Sequence, residues 1–155
     1  MESLEKHILK YGLLTSVSLI AFFFIMKLLG LAEVTELRTL NALIMFGGIF
    51  LAIRNFKMKK FSYEFNYLSG IATGFFTGMV TAVSFALFVA VYLYFDPSFM
   101  AAVVADNPQT DFLNPVTSAM VIFIEALASG FLFSYISMQY LKNDITVPLS
   151  KSSKN

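Results

Sequence analysis

The chain has 155 residues, 57% of them hydrophobic and 14% charged, with a mean hydropathy of +0.73. Soluble domains carry about 25% charged residues, and a chain this short has too much surface for its volume to hide so much apolar area from water. The net charge of +1 argues against nucleic acid as a partner, and the absence of cysteine excludes disulfides, thiolate metal sites and cysteine nucleophiles.

Four stretches are long and apolar enough to cross a bilayer, which takes roughly 20 residues. The first, about 8–31, is uncharged from Ile8 to Met26 except for Lys10, and continues through Lys27 to Leu31. Gly30-Leu31-Ala32 has the small-x-small look of a cleavage site, but the apolar run before it is longer than that of a signal peptide, so an uncleaved anchor is expected. The second span, about 35–54, has its apolar part between Arg38 and Arg54. That part is short, but Thr35 can cap the helix and Arg38 can snorkel outward.

The third span, about 63–95, has no charge in the 31 residues from Phe65 to Phe95, so it must tilt or project a turn into water. Ser62 and Glu64 suit its start. Asp96-Pro97 then precedes a short interfacial helix over 98–105, ending before Asn107-Pro108. Asn114-Pro115, a cap followed by proline at the first helical position, opens the fourth span, about 115–141, whose one charge is Glu125. Residues 142–155 read as a disordered tail, Ser/Lys-rich from Thr146. The expected fold is all-α: a four-helix transmembrane bundle formed by residues 1–141, with the interfacial helix between spans three and four.

Nine of the eleven basic residues fall on one side of this arrangement, at Lys6, Lys10, Arg54, Lys57, Lys59, Lys60, Lys142, Lys151 and Lys154. The other side holds only Lys27 and Arg38, with Glu33, Glu36, Asp96, Asp106 and Asp111. Basic bias in short loops sets orientation, so both termini are expected in the cytoplasm. Tyr11, Tyr63, Tyr67 and Tyr140 at one end, and Tyr92 and Tyr94 at the other, form the expected aromatic belts, while Tyr135 lies deeper.

Within the third span Gly70, Gly74, Gly78, Ala82, Ala86 and Ala90 recur every four residues, beside Ser69, Thr73, Thr77 and Thr81. Small residues in register let a second backbone approach, and hydroxyls there can bond across the interface. Packing inside the chain's own bundle is the favoured reading. Homo-oligomerisation through this face and a polar path along the hydroxyls are the functional alternatives.

Glu125 lies about 13 Å along the fourth helix from Val116, at 1.5 Å per residue. An ionised acid at mid-membrane costs roughly 2.5–3.5 kcal/mol on insertion scales. Lys27, Arg38 and Asn41 are the expected partners, with Ser129 one turn along the same helix. A structural polar cluster is favoured over a proton or cation site, because proton relays string several acids together and this chain has only one well inside a span. His7 is expected at the interface, Asn41 as bundle glue, and Gly47-Gly48 as a packing contact or flexible point. Phosphate-binding glycine loops, metal-binding histidine pairs and Ser/His/Asp sets are missing from the sequence, so neither enzyme activity nor a cofactor is expected.

Several segments in order resemble a family of uncharacterised four-span bacterial inner-membrane proteins, known as a domain of unknown function. They are Tyr11-Gly12-Leu13, Gly48-Ile49-Phe50-Leu51-Ala52-Ile53-Arg54, Phe61-Ser62-Tyr63-Glu64-Phe65 with the three glycines after it, Asp96-Pro97, and Phe123-Ile124-Glu125. The resemblance implies the four-span architecture and carries no activity, ligand or catalytic residue. Membrane lipids, a second copy of the chain or a larger membrane protein are the partners to expect.

Overall fold

The computed structural model of the chain describes residues 3–30, 38–58, 66–106 and 114–141. Those residues form five helices: α1 (Leu4–Leu28), α2 (Arg38–Met58), α3 (Tyr67–Phe95), α4 (Pro97–Asp106) and α5 (Pro115–Leu141). All but α4 are long and apolar enough to span a membrane. The expected helical bundle is the observed one, with the short α4 between the third and fourth spans. Thr35, Ser62, Glu64 and residues 142–155 lie outside the described residues.

Local chemistry accounts for the helix ends. Ser3 Oγ accepts from the Lys6 N–H at the start of α1. The helix stops where Gly30 turns to φ +69°, a left-handed geometry that glycine adopts without steric cost. α3 begins after Asn66, whose N–H donates to Ser69 Oγ while that hydroxyl donates to the Asn66 carbonyl, both at 2.8 Å. Asn114 Oδ1 accepts from the N–H groups of Val116 and Thr117 and caps α5, as its place before Pro115 predicts.

Several boundaries differ from the sequence reading. α1 ends at Leu28 and not at about residue 31, because the chain turns at Gly30, and α3 starts at Tyr67 and not at about residue 63, because Asn66 is its cap. α1 begins four residues earlier than expected, at Leu4, because Ser3 supplies the cap and His7 is held by the neighbouring helix. α2 continues one turn past Arg54 to Met58, because Phe56 is buried and Lys57 Nζ donates to the Leu141 carbonyl at 3.0 Å.

α3 is the hub and packs against α1, α2, α4 and α5. α2 packs on α1, α3 and α5, so α2 and α3 form the short diagonal of a rhombus, with α1 and α5 at its far corners. The core between α2 and α5, centred on Ile49, Ile53, Phe56 and Met138, lies against the glycine face of α3. The corner helices turn most of their apolar surface outward, as a lipid solvent permits.

Candidate functional site

The small-residue stripe of α3 faces inward. Gly70, Gly74, Gly78, Ala82 and Ala86 are buried, and Ala90 is half-buried. A Cβ at Gly70 would meet the Met138 side chain, and one at Gly74 would lie 2.6 Å from Ser134 Oγ and 2.7 Å from Ile53 Cδ1. At Gly78 it would stand 3.0 Å from the Cα of Gly130, so α3 and α5 cross backbone against backbone. The partner of the stripe is therefore α5 of the same chain, with α2 behind it.

The neighbouring hydroxyls turn back onto their own helix. Thr73 donates to the Ser69 carbonyl (2.7 Å), Thr77 to Thr73 (2.8 Å) and Thr81 to Thr77 (2.9 Å). Of these three, only Thr81 also reaches another helix, at the Gly12 carbonyl of α1 (3.1 Å). All three side chains are at most 1% exposed. A row of self-satisfied, enclosed hydroxyls relieves the cost of burying them but does not line a polar path.

Of the partners expected for Glu125, Lys27 is engaged elsewhere. Lys27 Nζ is 2.7 Å from Asp96 Oδ2 and also donates to the Tyr92 hydroxyl, which in turn donates to Asp96 at 2.9 Å. Lys27 closes α1, and α1 and α5 occupy opposite corners, so this cation meets the end of α3 instead of Glu125. Glu125 stands on the exposed side of α5, with Ser129 half-buried one turn on. Arg38 opens α2, and its side chain is outside what is described. Asn41 is half-buried, and its Oδ1 has no hydrogen-bond partner. Ser118 Oγ shares that condition, and each residue stands three positions into its helix at the same end of the bundle.

Around Lys27 the structure adds a cluster that charge counting alone does not reveal. Phe23 packs edge-on against Tyr92 (4.9 Å between ring centroids) and Phe99 (5.7 Å), joining α1, α3 and α4. Lys27 Nζ also lies 4.6 Å from the centre of the Tyr92 ring. Bonds from Lys27, Ser98 Oγ and the Phe99 N–H hold the Asp96 carboxyl well below the usual carboxylate range.

His7 lies at the opposite end, in the first turns of α1, and is 2% exposed. Its Nε2 donates to the Ala52 carbonyl of α2 at 2.9 Å, and its ring packs against Tyr11 and Phe56. A carbonyl only accepts, so Nε2 carries the proton. Gly48 packs against Thr15, as the simpler reading of Gly47-Gly48 expects, whereas sequence reasoning missed Gly12 and Gly130 as contact points. Gly130 carried a signal that could have found it, the four-residue spacing of Ala126, Gly130 and Ser134.

No group of three or more metal-ligating side chains occurs among the described residues. Compared with known proteins, the chain matches no family model, no curated protein and no solved structure.

Proposed function

We propose that this chain is a non-enzymatic membrane protein that acts by helix–helix association, with a second copy or a larger membrane partner. One observation carries this reading: the bundle interior is closed. Ser134, Met138 and Gly130 of α5 fill the α3 glycine face, and the threonine hydroxyls beside it are satisfied within their own helix. A closed interior leaves the outer faces as working surface, above all that of α5, where Ile124, Phe131 and Leu132 are exposed. The distribution of Lys and Arg supports a multi-pass orientation with both termini in the cytoplasm. The resemblance to four-span bacterial inner-membrane proteins supports that membrane as its location.

A second reading, a carrier or channel subunit with a proton or cation site at Glu125, draws support from Asn41 Oδ1 and Ser118 Oγ. Buried acceptors without partners are uncommon and call for an explanation. The two readings separate on purified protein in lipid nanodiscs and proteoliposomes. Association predicts a defined oligomer or a co-purifying membrane protein, unchanged in Glu125→Gln, and no proton or cation flux. A monomer without a partner, carrying a flux abolished by Glu125→Gln, would replace the first reading with the second.

A further inference from the structure

The seam between α1 and α2 is open on its flank, where Leu14 and Ser18 of α1 and Ile44, Gly47 and Leu51 of α2 line a groove of about 250 Å³. Its two glycines differ. Gly48 is covered by the Thr15 side chain, whereas a Cβ at Gly47 would meet no atom within 4 Å. Gly47 is thus not required by packing within the chain, and its missing side chain deepens the groove.

The aliphatic hydroxyls of the groove, those of Thr15 and Ser18, are already bound. Thr15 Oγ1 donates to the Tyr11 carbonyl at 2.8 Å and Ser18 Oγ to the Leu14 carbonyl at 2.9 Å. What remains facing outward is mostly methyl, methylene and glycine backbone, a lining suited to hydrocarbon. The volume falls below the roughly 300–1,000 Å³ of sites that enclose a whole small molecule, but it can seat part of a chain lying along the helices.

The charge at one end selects the kind of chain. The His7–Ala52 bond sets the start of α1 level with the last turns of α2. The described charged residues of these two helices at that end are Lys6, Lys10, Arg54 and Lys57 against Glu5. Arg54 follows Leu51 by three positions and Gly47 by seven, so it lies on the groove side of α2 about 10 Å beyond Gly47. It is exposed and joins none of the hydrogen bonds or ion pairs of the described residues. A guanidinium is well matched to a phosphate.

From this juxtaposition we infer that the α1–α2 groove is a binding site for an anionic phospholipid, its acyl chain over Gly47 and its phosphate at Arg54. The site is independent of any protein association through α5.

The test is native mass spectrometry of the full-length protein offered equal amounts of phosphatidylglycerol and phosphatidylcholine with identical acyl chains. Phosphatidylglycerol should be retained with about a fivefold preference, the factor expected for one basic side chain near an anionic headgroup. Arg54→Gln should bring the preference close to one while a lipid is still held. Gly47→Leu should reduce retention of both lipids at an unchanged melting temperature, and millimolar inorganic phosphate should not compete. Wild-type preference in both variants would overturn the site; should Gly47→Leu fail to fold, Arg54→Gln alone decides. Disulfide-linked dimers formed by Gly47→Cys in this otherwise cysteine-free chain would also overturn it, since a second copy would then occupy the groove.

Discussion

The α3–α5 and α1–α2 seams are built from the same residue types and reach opposite ends. In the first, each glycine of α3 is filled by a neighbour, and two backbones meet at Gly78 and Gly130. In the second, Gly48 is filled by Thr15 while Gly47, the next residue, opens onto a groove. Because lipid tails are as apolar as leucine, packing fit decides how membrane helices associate. A glycine therefore means close approach only when a partner backbone or side chain fills the space.

The contrast breaks first at Gly78. Leucine there must displace the α5 backbone, and overpacking of this kind costs about 3 kcal/mol. Gly78→Leu should lose resistance to denaturing detergent in an unfolding titration; an unchanged midpoint would remove the α3–α5 crossing as the tightest seam. His7→Ala tests what holds the open seam together. It strips a buried hydrogen bond and leaves packing space, so a loss of about 2 kcal/mol is expected in the same titration.

The α1–α3 latch at Lys27 and Asp96 is more exposed, and pH is the way to examine it. The folded Asp96 carboxyl is shifted below its unfolded value of about 3.9, so its contribution is complete above that pH and fades as pH falls toward the folded value. Thermal unfolding should therefore show no slope from this group between pH 7 and 5 and a decline below about 4. Asp96→Asn should lower stability at pH 7 and flatten the acid limb; an identical profile in that variant would mean the latch does not contribute.

The smallest effect is expected at Gly47. Alanine there fits without contact and restricts the unfolded chain, so Gly47→Ala should be neutral or stabilising by about 0.5 kcal/mol. Gly78→Ala, 3.0 Å from the Gly130 Cα, should be destabilising. Equal responses at the two positions would erase the distinction between the seams.

The sequence by itself determined the features that depend on neighbours along the chain. Apolar length established four spans, Asp96-Pro97 and Asn114-Pro115 marked two helix starts, and the four-residue period of α3 identified a packing face. All of these follow from backbone hydrogen bonding and helix geometry, which are local. The tertiary structure decided the pairings. Lys27 meets Asp96 instead of Glu125 because α1 and α5 stand at opposite corners of the rhombus. His7 finds a carbonyl 45 residues away, and Gly47 differs from Gly48 because consecutive residues of a helix point about 100° apart. No pattern along the chain encodes which helix stands across from which, and at these positions that neighbour sets the chemistry.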